Sequence, residues 1–417
     1  DPHFNSHYAY LFYPIKNAKA AKRGVVPLDY VGIQALDAMT LQVDLDHPAP
    51  YFLELTAHWV YSPLCKENDE LHPGWAYYGG ENFVCNGPFK LGKWKRNSEI
   101  QVVKNQEYWD AEFVHLRRID ISIIENPKAA FELYQRGELD WIGEPLSEIP
   151  HETLKKKGLG MADNVFSHPI SAVYWYDFNV KMAPFQSTKI RRSLALALNR
   201  QQIIDEVLHG QELPASTILP PNLSLSQNAD LADGDPEVAK KLFLAGLEEL
   251  KMAPKDLPKL TITCYEQEID EALAVHASKQ WKEVLGLDVS VKTLKWEQFL
   301  EKCLRHDFHI MGTTWYSWFN DPLYSLEHTK YHSDDNSTTQ WQHDGYDELL
   351  DKATHCIDPR ERKRLLREAE NIVMEEMPII PLFYPTFKYM KKEHVNNIFL
   401  SHLGQIDFKW AYVNKSK

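Results

Sequence analysis

The densest run of chemistry-bearing side chains is Trp315-Tyr-Ser-Trp-Phe-Asn-Asp-Pro322. Two tryptophans, a tyrosine and a phenylalanine fall within five residues, and an Asn-Asp-Pro stop follows them. Flat rings of this kind stack on and enclose a ligand, and indole and phenol also bring hydrogen-bond donors. A buried aromatic cluster would use the same residue types, so this run alone leaves both readings open. Bond-making chemistry has no comparable signature. Phosphate-loop, GxGxxG, HExxH and GxSxG patterns are absent. No pair of carboxylates stands out as an acid–base couple. The one grouping of metal-ligand types is His332, Asp334, Asp335, His343 and Asp344. It is irregularly spaced among Ser, Asn and Thr and reads as a solvated loop, because a metal site needs fixed geometry and supporting hydrogen bonds. The expectation is binding, with no catalytic residue, cofactor or metal.

The elements that must position this run can be read on either side of it. Phe308 to Met311 is a short apolar stretch interrupted by His309, and the strand expected there runs from Phe308 to Thr314. Pro322 cannot continue a ladder and biases Asp321 toward extended backbone, so the rings sit where a strand gives way to a loop. A second aromatic strand, Val173-Tyr-Trp-Tyr-Asp-Phe178, carries Tyr174 and Trp175. A helix from Trp296 to Leu304 precedes Arg305, His306 and His309. Lys189 to Leu208 reads as one helix with Ile190, Leu194, Ala197, Leu198 and Ile204 on its apolar face. Asn126, Asp235 and Asp358, each followed by proline, open helices, and Asp358-Pro-Arg-Glu361 has the form of a capping box. The Asp358 helix buries Leu365, Leu366, Ala369, Ile372 and Val373, and the basic cluster Arg360, Arg362, Lys363 and Arg364 is assigned to its polar face. Thr40 to Leu45 alternates as a half-buried strand, paired across a tight turn with Gly32 to Leu36. The loop from Pro73 to Asn82 reads as a domain crossing or flexible edge. Repeated strand–helix alternation gives an α/β fold with parallel or mixed sheets.

Composition narrows the function classes. At 417 residues the chain is too long for one ordinary core, which favours two or three domains. Asp+Glu outnumber Lys+Arg by 59 to 46, so a nucleic-acid backbone is a poor partner. No apolar run reaches the length of a membrane span. The opening Asp1-Pro-His-Phe4 shows neither a basic n-region nor an apolar h-region, so no signal peptide is read there. The five cysteines, Cys65, Cys85, Cys264, Cys303 and Cys356, lack CxxC spacing and suggest neither a zinc site nor a disulfide framework.

A series of local motifs, in order along nearly the whole chain, resembles the large extracellular solute-binding proteins of bacterial ABC importers (family 5), the oligopeptide and dipeptide binders. The matching pieces begin with Ala35-Leu-Asp-Ala-Met-Thr-Leu41 before Pro50-Tyr-Phe52, then Asn86-Gly-Pro-Phe-Lys-Leu91 with Trp94, Asn105 with Tyr108-Trp109, and Tyr134-Gln-Arg-Gly-Glu-Leu-Asp140. They continue with Pro184-Phe185, Ile190-Arg191, Ala197-Leu-Asn-Arg200 and Ile203-Ile204, then Trp315 with Asn320-Asp-Pro322, and Ile379-Ile-Pro-Leu-Phe-Tyr384.

The resemblance implies a two-lobed periplasmic-binding-protein fold, type II-like, with a hinge crossed twice, near Ala172 and near Thr386. It assigns residues 1–80 to an accessory subdomain of lobe I, 81–172 with 387–417 to lobe I, and 173–386 to lobe II. It also implies that the chain begins inside the family pattern, since the segment with which members start their first lobe finds no match. The implied function is capture of short peptides for an ABC permease and its cytoplasmic ATPases, by a monomer that is no enzyme and binds no nucleic acid. The implied location is periplasmic or at the outer face of the cytoplasmic membrane. The residues expected to face the ligand are Thr314, Trp315, Tyr316, Ser317, Trp318, Asn320 and Asp321, with Tyr174, Trp175, Trp296, Arg305 and His309. Thr314 and Tyr316 would offer backbone, and the tryptophans would line the pocket.

The chain departs from the family where peptide ends are gripped. The aspartate that holds an α-amine is similar in position to Trp318, the arginine used for carboxylates falls on Gly312, and a further lysine falls on Leu208. A modified peptide, glutathione or a metal chelate is therefore the alternative ligand. A hydrolase or metalloenzyme, and an adhesin or chaperone-like protein on the same fold, are the readings from other classes.

Overall fold

The computed structural model describes residues 1–4, 6, 8–155, 165–210, 212–225, 231, 233–331 and 338–414. The chain forms two compact units. The larger comprises Asp1–Tyr61, Ser171–Leu208 and Glu212–Pro385, and the smaller Ser62–Ile170, His209–Gln211 and Thr386–Lys417. The chain changes unit after residues 61, 170, 208, 211 and 385.

The larger unit is built on a six-stranded sheet. Its strands in chain order are β1 (Ala172–Phe178), β2 (Leu213–Pro214), β3 (Leu260–Tyr265), β4 (Val289–Leu294), β5 (Ile310–Tyr316) and β6 (Ile379–Tyr384). They lie in the spatial order β4-β3-β5-β1-β6-β2. β3 runs parallel to β4 and β5, whereas β1 is antiparallel to both β5 and β6. Every residue of β1 is buried, which explains why it is aromatic and aliphatic except at Asp177, since a strand covered on both faces has no polar face to show. The β1–β6 register shifts between Pro381 and Phe383, where proline has no N–H to give the ladder. The Pro381 carbonyl instead accepts a 2.8 Å hydrogen bond from Arg200 Nε.

Helices α1 (Thr188–Leu196), α2 (Pro236–Glu249), α3 (Glu268–Leu285), α4 (Trp296–Leu304), α5 (Pro322–Glu327), α6 (Asp344–His355) and α7 (Pro359–Glu376) belong to this unit. Two expectations are corrected here. The helix read from Lys189 to Leu208 is interrupted after Leu196, and a new one starts at Arg200 with Asn199 accepting from Gln202 N–H at 2.8 Å. Asparagine competes with helix continuation in this way because its side chain caps more readily than it sits in an interior. At α7, Asp358 caps the backbone of Arg360 and Glu361, but the Glu361 carboxylate pairs with Arg364 and so gives the exposed face an ion pair. Gly286, expected as the stop of α3, adopts φ +67°, a left-handed conformation that closes the helix.

Residues 1–61 also group with this unit rather than with residues 81–172, which differs from the lobe assignment read from sequence. The reason is apolar burial: Leu11, Ala49, Tyr51 and Leu55 belong to the same core cluster as Trp175 and Ile310. The loop from Pro73 to Asn82 is no crossing, because the chain has already entered the smaller unit at Ser62.

The smaller unit holds an antiparallel sheet of Phe89–Lys95, Glu99–Lys104 and Arg118–Ser122. A second antiparallel sheet places Thr386–Lys391 between Trp141–Gly143 and Phe166–Pro169. A small core of Ala130, Tyr134, Ile142, Ile149 and Met390 packs the helix Pro127–Gln135, whose cap Asn126 accepts from Lys128 and Ala129 N–H. All five cysteines are free thiols. Among the described residues no helix is long and apolar enough to cross a membrane.

Candidate ligand-binding site

β5 has two unequal edges. Toward β1 its ladder continues to Tyr316, opposite Ala172. Toward β3 it contains only the pairs with Ile310 and Met311. From Gly312 to Trp315 that second edge has no strand partner among the described residues. Gly312 lets the sheet close over two tyrosines, since a Cβ there would stand 2.8 Å from Tyr174 Oη and 2.9 Å from the Tyr176 ring. The position where the family would carry an arginine therefore has no room for one.

The strand reaches two residues further than the sequence suggested and takes Trp315 and Tyr316 with it. Trp315 stacks on Trp175 at 5.9 Å and on Tyr324 at 5.3 Å, and its ring lies 4.4 Å from that of His328. Trp175 is fully buried, and its indole donates to Asp177 Oδ2 at 3.1 Å while Asp177 Oδ1 meets His328 Nε2 at 3.2 Å. Tyr174 is also buried, stacked on Phe383 at 5.1 Å, and burial pushes its phenol well above the usual range. The structure places these two in the core beneath the strand end. Tyr316 is half exposed. Ser317 is buried and joined to Ser325 through their hydroxyls at 3.1 Å. Asn320 is exposed, its carbonyl accepting from Asn222 Nδ2 at 3.1 Å.

Asp321 is already occupied. Its Oδ1 caps α5 by accepting from Leu323 N–H at 2.9 Å. Arg362 donates to both oxygens, Nη1 to Oδ2 at 2.8 Å and Nη2 to Oδ1 at 2.9 Å, with both side chains about nine-tenths buried. Arg362 is thus no part of a polar helix face. The signal was present in its spacing, three, four and seven residues before Leu365, Leu366 and Ala369.

Arg305 and His309 are not brought to this end of the sheet. They precede β5, whose six steps carry the chain about 20 Å at the usual rise of ~3.3 Å per residue. Arg305 is exposed and paired with Glu301 at 2.9 Å, and burial holds His309 below the usual histidine range. Trp296 follows β4, whose C-terminal end lies at the same side of the sheet as that of β5, and its half-exposed ring packs on Tyr265 and Phe299. Of the metal-like grouping, His332, Asp334 and Asp335 lie outside the described residues, and His343 caps α6 by accepting from Tyr346 N–H at 3.0 Å. Leu208 is buried.

Sequence reading missed the partners that residues 1–61 supply. Trp318 packs edge-on against Tyr8 at 5.6 Å and against His58 at 5.3 Å, and Trp59 lies 4.9 Å from Tyr8 and 5.1 Å from His58. Tyr10 and Tyr324 share a 3.2 Å hydroxyl contact. Nothing in the local pattern of these residues announces partners 260 to 314 positions away.

Beneath this cluster Glu327 is pushed up to about 7, chiefly by burial, with Asp351 and Asp321 adding to the rise and Lys330 and Arg362 opposing it. The folded state therefore holds a proton that the unfolded chain releases near pH 4.3. Stability falls as pH rises through that interval and levels off above pH 7. Glu327→Gln is expected to raise stability by on the order of 3–4 kcal/mol at pH 8 and leave it unchanged at pH 4. Urea denaturation at the two pH values checks this, and equal effects at both would show that the carboxyl is not titrating there.

The family model described as bacterial extracellular solute-binding proteins, family 5 Middle, matches residues 1–337. The chain is 34% identical over 419 residues to the oligopeptide-binding protein OppA of Bacillus subtilis (strain 168), covering 99% of this chain and 76% of that protein. It is 29% identical over 421 residues to the dipeptide-binding protein DppE of the same organism, with the same two coverages. Among solved structures, the Escherichia coli murein tripeptide binding protein MppA superposes with a TM-score of 0.79 at 24% identity, covering 100% of this chain and 81% of that one.

Proposed function

Because this chain belongs to the bacterial extracellular solute-binding proteins of family 5, we propose that it is the substrate-binding component of an ABC importer and captures short peptides between two closing lobes. The observation that supports this most directly is the β5 edge from Gly312 to Trp315, left without a strand partner among the described residues. An extended peptide adds to such an edge through its own backbone, which gives affinity that does not depend on side-chain identity. Thr314 and its neighbours supply the backbone, and Trp315, Tyr316 and Trp318 supply rings at the strand end. The relatives named as oligopeptide-binding and dipeptide-binding point to the same ligand class. The chain then acts outside the cytoplasmic membrane, as a monomer, and passes its ligand to permease subunits driven by cytoplasmic ATPases. It binds without catalysing.

Mass spectrometry of whatever co-purifies with the natively folded protein is expected to show short peptides, and calorimetry against a diverse peptide pool to show binding. Failure of every peptide in that pool to bind would end this reading.

A further inference from the structure

Two buried ring N–H groups of the cluster, those of His58 and Trp315, lack a hydrogen-bond partner among the described residues. His58 is 3% exposed, and Val60 N–H donates to its Nδ1 at 3.2 Å, which makes Nδ1 the acceptor and places the proton on Nε2. That Nε2–H is buried and has no hydrogen-bond partner among the described residues. Burial holds the imidazole below the usual histidine range, so it is a neutral donor near pH 7. An orphaned donor costs about 1–3 kcal/mol, so one retained within a ring cluster calls for a partner.

The surroundings select the partner's chemistry. The His58 ring lies against Trp318, which follows the open strand edge by three residues, and against Trp59, which is half exposed. The nearby carboxylate, Asp321, is neutralised by its two bonds to Arg362. An ammonium group brought here would face an N–H donor, while burial pushes Glu327, the carboxyl beneath the cluster, up to about 7 and so keeps it largely uncharged below that pH. Desolvation of the ammonium, on the order of several kcal/mol, exceeds the ~1–2 kcal/mol that a cation gains over a ring. A carboxylate would equally lack a cation, because Arg362 is already paired. A carbonyl oxygen on an uncharged, apolar group meets both conditions.

We propose that His58 Nε2–H is a ligand contact, donating to a carbonyl of a peptide whose end at Trp318 carries no charge, such as an N-acylated peptide. This rests on the peptide reading above and names its preferred substrate class. In the test, a tripeptide library in two forms, free-amine and N-acetylated, is offered to the purified protein at equal concentration. Retained peptides are then quantified by mass spectrometry. Enrichment of the acetylated form by tenfold or more is the expected result. Peptide binding with equal or better retention of the free-amine form would overturn the proposal and leave the peptide reading standing. Retention of neither form would overturn both. In His58→Phe, which keeps a flat ring without the donor, the enrichment is expected to fall below about threefold while the melting temperature is kept. Unchanged enrichment in a folded His58→Phe protein would remove His58 from the site.

Discussion

Asp321→Asn is expected to destabilise the larger unit by about 3–5 kcal/mol, because it leaves Arg362 as a buried charge whose two best partners are gone. The size of the effect comes from desolvation. The pair is about nine-tenths buried, so water cannot replace the lost carboxylate, and the bond from Arg362 Nε to the Ala353 carbonyl at 3.1 Å is no counter-charge. Asparagine keeps a side-chain oxygen that can still cap Leu323, which isolates the charge from the cap. The double variant Asp321→Asn with Arg362→Met is expected to recover most of the loss, since removing both charges of a buried pair is far milder than removing one. Urea midpoints followed by tryptophan fluorescence report both. A loss under 1 kcal/mol in Asp321→Asn would mean the carboxylate is free for another partner, and Asp321 would return as a candidate ligand contact.

Trp175→Ala is expected to cost a further large amount, about 3–5 kcal/mol, through the cavity it opens. Trp175 is fully buried in the central strand of the sheet and stacks under Trp315, so neighbours on both faces of β1 limit collapse into the space. It also leaves Asp177 without its indole donor, with only His328 still against the carboxylate. Trp175→Phe retains most of the volume and is expected to cost less than half as much. The same variants separate core from contact. If Trp175→Phe kept full stability and lost peptide binding, Trp175 would line the ligand and the burial argument would be wrong.

Strands and caps were legible because their signals are local. The hairpin of Ile33–Ala35 with Leu41–Val43, the aromatic run within β1, and Asn126, Asp235 and Asp358 before proline each state their role within a few residues, although Leu41 is exposed rather than half-buried. The site was legible only in part. The aromatic run at Trp315 marked the strand end, but alternation does not say which rings are covered, and so Tyr174 and Trp175, buried on opposite faces of β1, were grouped with Trp318. Arg305 and His309 were drawn in by closeness in sequence, although a strand carries its two ends apart. Asp321 looked available because its partner Arg362 is 41 residues away, and His58 carried no signal at all. Pairings of that kind belong to the tertiary fold, which one sequence without its three-dimensional neighbours does not display.

The unequal edges of β5 also act as a ruler. Four residues, Gly312 to Trp315, separate the end of the β3 ladder from the last residue of the strand. At ~3.3 Å per residue that gap offers about 13 Å of backbone, enough to register three or four residues of an incoming chain. In the peptide reading proposed above, main-chain pairing reads only that much of the ligand, whatever its total length. Any residues beyond must be held by rings or left in solvent, so added length brings little added affinity.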